Sequence, residues 1–468
     1  MKDDKQGAIR LTRREAIDIG LGTVLSSAVA ATGAGFAVAT RWAGADDKPD
    51  NERLVTDFGA KPDDDGLQTA AIQAAIDAAA DRGGGTIRFP KGRFLSGAIR
   101  LRDNIRLVLE EGAVLRGSEN WRDFGQGGWL DALITARDAR GIRIEGPGRI
   151  DGADCENPKG EEGFRGPHAI VLLGCRDVVV ADLAVARTGN YAMFCRDCSD
   201  VQVRGVSVRG GHDALHAQAC RRFTVRNCDF RTGDDCLAGC DNTDFEILDC
   251  RINSSCNGFR LGCVNLVVRK CEFWGPGEHA HRISVRRGSP RTNMLAAFCH
   301  FAPTDRNPKL PSDNWLVEDC TIDHVDRVYE YNFERGTWQT GQPARRLHFR
   351  NVKATRVARP LTVLGDAQRQ FELTLEDVSI TLREGRRDQP VLDIRRFGSL
   401  VLRQAVLENS GQAPGLVARE GDAVWLDRVR WVPQREAPYL LEQVETLRTG
   451  RADDESSSVR GTFQKAQS

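Results

Sequence analysis

The chain lacks a net charge of either sign. Its 66 basic and 66 acidic side chains cancel to a formal net charge of zero, which argues against a nucleic-acid binder, whose surface carries a basic bias. Beyond about residue 100 it also lacks the 3.6-residue apolar spacing of helices. That absence speaks against leucine-rich and ankyrin-type arrays. Two-residue Asn-Gly or Asp-Gly turns between consecutive strands are mostly missing, and a β-sandwich built of antiparallel hairpins would need them. A zinc ribbon is excluded as well. Cys195-Arg196-Asp197-Cys198 is a lone CxxC with no second pair at the required spacing.

What the chain has instead is a period. From about Asn104 the segments IRLVLEEGAVLRG, IRIEGPGRIDG, VVVADLAVARTG, VQVRGVSVRGG, FTVRNCDFRTG, FEILDCRINSS and LVVRKCEFWGPG follow one another, most of them every 20–23 residues. Each holds two short β-rich runs around a turn and ends in Gly or small polar residues. Self-similarity of this kind, made of strands alone, predicts a parallel β-helix. Ahead of it, Ile72, Ala75, Ile76 and Ala79 recur at helical spacing until Gly83-Gly84-Gly85, which predicts one helix capping the open end of the solenoid. Residues 275–315 break the rhythm with five prolines and many charges, as an inserted functional loop would. The expected organisation is an N-terminal cap over 46–100, the β-helix over 101–435 and a polar tail over 436–468.

The N-terminus has the form of an export signal. Arg10, Arg13 and Arg14 precede a largely apolar run from Ile17 to Ala39, and Ala43-Gly44-Ala45 offers a small-x-small cleavage site. Thr12-Arg13-Arg14 resembles a twin-arginine signal, so residues 1–45 are excluded from the fold, and a secreted or periplasmic protein without stable membrane insertion is expected. Fourteen cysteines in an exported chain would ordinarily suggest disulfides. Here Cys228, Cys250, Cys271 and Cys320 share one phase of the repeat, and Cys175, Cys198, Cys220, Cys240 and Cys263 share another. Residues at one phase stack in a column, where free cysteine serves as a small buried hydrophobe.

The densest polar stretch runs from Gly210 to Gly262. Asp213 and Asp235 lie one repeat apart, with Asp234 beside the second and Asn257 one repeat later. On adjacent rungs, about 4.8 Å apart, three carboxylates crowd one patch, which chemistry or a metal must justify. Crowding raises the pKa of one member, so that a proton donor and an ionised partner coexist, as glycosidases require.

TDFGAKPDDDGLQTAAIQAAIDAA followed by GGGTIRFPKGRFLSGAIRL, then GRIDG at Gly148–Gly152 and TGDDCLAG at Thr232–Gly239, resemble glycoside hydrolase family 28, the polygalacturonase-like pectin hydrolases. The resemblance implies an all-β, right-handed single-stranded parallel β-helix, an inverting mechanism and no metal or other cofactor. It also implies a polysaccharide or oligosaccharide substrate, pectic by default, and a monomer. Asp234 takes the general-acid position, with Asp213 and Asp235 on the attacking water. The chain departs from the family pattern at Asn257, where the family has histidine, and at Arg282-Ile283-Ser284, where it has Arg-Ile-Lys. Arg260, Arg286 and Arg287 are candidates for the missing cation, while Arg282, Asn257, His212, His216 and Tyr331 are further substrate-binding candidates. Two other readings stay open: a Ca²⁺-dependent polysaccharide lyase with Arg260 as base, and a non-catalytic glycan-binding or envelope β-helix.

Overall fold

Successive turns of the chain lay three short strands each over the three strands of the turn before. A computed structural model describes residues 51–384 and 388–450 and the strand Ser458–Arg460. The export segment expected over residues 1–45 lies outside the described residues. In one turn the strands are Met193–Arg196, Ser199–Arg204 and Ser207–Gly210; in the next they are Leu215–Gln218, Arg221–Arg226 and Asp229–Thr232. The register is strict: Phe194 faces His216, Val201 faces Phe223 and Val208 faces Phe230. Pairing is parallel throughout the coil, in sheets of 24 and 13 strands, and only Ser458–Arg460 pairs antiparallel, against Tyr439–Thr449. This is an all-β parallel β-helix.

Alternation explains which residues enter the core. In Ser199–Arg204 the side chains of Val201 and Val203 are buried while Arg204 is exposed, the period of two that a pleated strand imposes. Corners explain the recurring Asp, Asn and Gly. Asp177, Asp200, Arg222, Asp244 and Asn265 occupy one corner on successive turns, all with φ between 51° and 59°. Asp and Asn tolerate this left-handed conformation better than other residues with a side chain, because their short polar groups bond to nearby backbone. Within the coil, rings stack on rings, as Phe223 and Phe245 do at 4.9 Å.

All fourteen cysteines are buried free thiols. Cys228, Cys250, Cys271 and Cys320 each precede a strand of the 13-stranded sheet, so their column follows the register. In the second column the expectation needs one correction. Asn242, not Cys240, stands between Cys220 and Cys263, because this turn is 22 residues long and so sets Asn242 against Cys220, and the register shift after Gly239 sets it against Cys263. Asn242 is fully buried. Its Oδ1 accepts from the Cys220 N–H at 3.0 Å, and its Nδ2 donates to the carbonyls of Ala217 at 2.8 Å and Gly262 at 3.3 Å. One side chain thus satisfies the backbone groups that the irregularity frees.

The helix Thr69–Ala80 covers the first turns with Ile72, Ala75, Ile76 and Ala79, all buried. The insertion is not wholly irregular. It contains a one-turn helix, Arg282–Arg286, and the strand Ala296–His300, which continues the coil with Cys299 opposite Arg260. At the other end the coil outlasts residue 435. Tyr439–Thr449 is its last parallel strand, with Leu441, Val444 and Leu447 buried, so that part of the expected tail is a rung. No helix among the described residues is long and apolar enough to cross a membrane.

Asn242→Ala would leave one buried N–H and two carbonyls without partners, at about 1–3 kcal/mol for each group left unsatisfied. The urea midpoint of this variant is expected to fall markedly, and that of an exposed variant outside the left-handed corners, Glu111→Ala, to stay within measurement error of the native protein.

Candidate active site

The register that stacks valines also stacks the acids. Ala192, Ala214 and Cys236 donate their N–H groups to the carbonyls of Asp213, Asp235 and Asn257, so Tyr191, Asp213, Asp235 and Asn257 follow one another on consecutive rungs. Asp213 and Asp235 stand two residues before the core residues Leu215 and Leu237, and both are buried. Asp234, one residue out of phase, reaches a cavity of about 560 Å³ on the outer face. One oxygen from each of Asp213, Asp234 and Asp235 lies within 4.8 Å of the others.

His216, Arg260 and Glu330 form the floor of that cavity along one register line, with Cys299 between the last two. The insertion contributes a wall of His281, Ile283, Arg287, Arg291, Phe301 and Arg306. Arg165, from the loop before the strand His168–Leu173, and the segment Arg335–Gln339 close two further sides. Trp338 in that segment is 46% exposed, rare here for a large apolar side chain.

Every carboxylate has a nitrogen partner. Asp235 accepts from Asn257 Nδ2 at 2.8 Å and from Arg260 Nε. Arg260 lies over the Phe301 ring at 4.2 Å. Asp234 Oδ2 accepts from Arg165 Nη2 at 3.3 Å, and its Oδ1 faces His281 Nε2 at 3.6 Å. Asp213 Oδ2 meets His216 Nδ1 at 3.2 Å, while its Oδ1 is buried without a partner. Burial, reinforced by the charges of Asp234 and Asp235, holds the Asp213 carboxyl well above the usual carboxylate range. Burial also raises Asp235, against the opposing pull of Arg260. For Asp234 burial acts upward too, but His281, Arg165 and Arg260 outweigh it and set this carboxyl below its ordinary value. Burial therefore raises the carboxyls of the inner pair, while the nitrogen donors around Asp234 favour its charged form at the cavity wall.

Two trios have the spacing of metal ligands: the aspartates, and Asp234 with Cys256 and His281. Their donor chemistry fits a cation poorly. Arg165, Arg260 and Asn257 already donate to the carboxylate oxygens. His281 Nδ1 accepts the Ser284 N–H at 3.1 Å, so the ring proton sits on Nε2, where a ligand lone pair would be needed.

Of the candidates read from the sequence, Asp234, His216, Asn257, Arg260 and Arg287 line the cavity, and Asp213 and Asp235 lie directly behind it. The other four stand elsewhere. His212 is buried between Phe164, stacked at 5.9 Å, and Arg165, 3.3 Å from its Nδ1. Arg282 and Arg286, one turn apart on the short helix, share a face that turns away to Glu156 and the Phe164 ring. Tyr331 is fully buried against Phe371, because Tyr329 and Tyr331 take the inward phase of their strand and Glu330 the outward one. Sequence reasoning does not single out Arg165, Arg291, Arg306, Arg335 or Trp338. They sit in aperiodic loops, where one arginine looks like any other; only the lone tryptophan in GTWQTGQ offers a signal.

Known proteins match this arrangement in part. Residues 53–118 match the family model described as "Rhamnogalacturonase A/epimerase, pectate lyase-like", and residues 140–290 match "Right handed beta helix region". An exo-poly-alpha-D-galacturonosidase of Dickeya chrysanthemi is 37% identical over 115 residues, covering 21% of this chain. The match spans about a fifth (19%) of that relative's length. The family 28 exopolygalacturonase of Yersinia enterocolitica superposes with a TM-score of 0.54 at 19% identity, over 86% of this chain and 78% of its own. The surface adhesin PfbA of Streptococcus pneumoniae does so with 0.52 at 12% identity, over 85% and 97%. The two structural likenesses are of fold alone. Taken with the match of residues 140–290, they show a right-handed parallel β-helix, and over part of its length the chain is similar in sequence to polygalacturonase-type proteins.

Proposed function

We propose that the protein is an exported glycoside hydrolase that cuts a bond in an acidic, pectin-like polysaccharide or oligosaccharide. Three converging carboxylates, one of them at the wall of an arginine-lined cavity, carry this reading. Among the described residues, Arg291, Arg306 and Arg335 line the cavity without a carboxylate partner, which suits a substrate bearing its own. Trp338 offers a flat face to a sugar ring. Export follows from the twin-arginine-type segment over residues 1–45, and a monomer is part of the same proposal.

Asp234 is the general acid, since it alone of the three lines the cavity and accessibility comes before pKa in choosing a donor. Its proton passes to the glycosidic oxygen as the C–O bond breaks. Water adds to the anomeric carbon from the opposite face and gives its proton to Asp213 or Asp235, inverting the configuration. In the free protein burial raises the carboxyls of the inner pair above their ordinary value, which favours a proton there. The three carboxyls titrate as a unit, and an acidic sugar that draws Arg165 away from Asp234 raises Asp234 and moves a proton onto it. The oxygens lie closer together than the roughly 6.5–9.5 Å usual for inverting pairs. Inversion therefore rests on the family resemblance, not on this spacing.

The protein is expected to release reducing ends from pectic substrates without ultraviolet-absorbing products and without sensitivity to chelators. Unsaturated products lost with chelator would establish a lyase instead, and tight glycan binding with no bond cut would establish a binding protein. Asp234→Asn should lower kcat on the polysaccharide by about 10²–10⁴-fold, the usual contribution of a general acid. It should retain most activity on glycosides with strongly acidic leaving groups, whereas Asp235→Asn should lose both. Asp213 also makes a stability prediction. Its folded-state pKa is raised, so its favourable contribution is present below the unfolded value, near 4, and is lost as pH rises through the folded one. Asp213→Asn, neutral throughout, should have a higher urea midpoint than the native protein at pH 7 and nearly the same midpoint at pH 3.

A further inference from the structure

Asp234 receives its partner from a segment outside the repeat. His281 ends the extended part of the insertion and caps the helix Arg282–Arg286. The Ser284 N–H donates to its Nδ1 at 3.1 Å, Ser284 Oγ donates to its carbonyl at 2.9 Å, and the Arg291 N–H donates to that Oγ at 2.9 Å. The ring is 4% exposed, so three short bonds and burial set its plane and its tautomer. With Nδ1 occupied by a donor, Nε2 carries the proton, and it points at Asp234 Oδ1 from 3.6 Å. Asp234 Oδ2 meanwhile belongs to Arg165.

We infer that His281 is a positioning residue for the proposed hydrolysis, whose Nε2–H stabilises the Asp234 carboxylate left when the proton has gone to the leaving oxygen. The inference rests on the assignment of Asp234 as acid. In the free protein Nε2 stands 3.6 Å from Oδ1, longer than a hydrogen bond; catalytic contacts of this kind tighten in the substrate complex. The groups that face Asp234 are Arg165 from the loop, His281 from the insertion, Arg260 across the cluster, Asp213 and Asp235 behind it, and Cys256 one rung on. His281 is the one imidazole among them, and with its Nδ1 accepting the Ser284 N–H it offers Asp234 a single Nε2–H.

The acid must hold its proton to act, so activity falls as pH rises through its pKa. Removing a donor to the ionised form raises that pKa. His281→Leu should therefore move the alkaline limb of the kcat profile upward by about one pH unit, the scale of one hydrogen bond to a charged group, and lower kcat about tenfold. His281→Gln, which keeps an N–H at similar reach, should restore most of both. An unmoved limb in His281→Leu, or identical behaviour of the two variants, would overturn the inference. Carbon NMR of the Asp234 carboxyl and nitrogen NMR of the ring read the same contact with no substrate present. An Asp234 titration that ignores His281→Leu, or a proton found on Nδ1, refutes the inference even in an active enzyme. A titration that moves in a protein that cuts no glycan refutes the hydrolase assignment and leaves the contact standing.

Discussion

Everything in this molecule depends on the parallel backbone ladder, which sets a residue of each turn directly over its counterpart in the turn before, about 4.8 Å away. The ladder is indifferent to what it stacks. Valine over phenylalanine makes a core, thiol over thiol makes a buried column, and Asp213 beneath Asp235 makes a site. Apolar stacking is favourable on its own. Carboxylate stacking at that distance is unfavourable in a buried setting, so the acidic column can exist only where cations interrupt it or protons neutralise it. Both act here: Arg260 caps Asp235, and burial with the neighbouring charges raises the Asp213 carboxyl well above the usual carboxylate range, which favours its protonated form.

The same geometry separates roles among three aspartates that chemistry alone would treat alike. Two stand in phase with core residues and lose their water. The third is one residue out of phase and keeps an opening to the cavity. A shift of one position in a strand exchanges the buried face for the exposed one. Here it turns a repulsive cluster into a buried pair whose carboxyls are raised by burial and a third carboxyl that faces the cavity. The unpaired Oδ1 of Asp213 shows the cost of this arrangement, since a buried acceptor without a partner is unfavourable wherever it stands.

How much of this is legible in the sequence follows from which features are periodic. The coil, its capping helix and the acidic triplet are legible, because repetition at 20–23 residues by itself places Asp213, Asp235 and Asn257 in one column. The limits are local. The turn length of 22 residues sets Asn242, not Cys240, against Cys220, and the irregularity between Gly239 and Asn242 then sets Asn242 against Cys263. Tyr331 looks like a sugar-facing ring in the sequence, but its strand alternates the other way and Glu330 holds the cavity position instead. The motif around Arg282 and Arg286 suggests a pair of substrate cations, whereas a single helical turn points them together at Glu156.

The side chains hardest to place from the sequence have one property in common: the ladder does not set them. Arg165, His281, Arg291, Arg306, Arg335 and Trp338 come from segments between rungs, and together they supply most of the cavity's cations and its exposed ring. The rungs supply the acids; the loops decide what is brought to them. A fold shared at 19% identity with an exopolygalacturonase and at 12% with an adhesin is the expected consequence, since the coil survives any loop that does not disturb its register. On the proposed hydrolase reading, selectivity is therefore a property of the insertion and the two flanking loops. For the same reason, the departures at Asn257 and Ser284 from the pattern the sequence resembles do not by themselves empty the site: the insertion brings an imidazole to Asp234, and the loops bring guanidinium groups to the cavity wall, by another route.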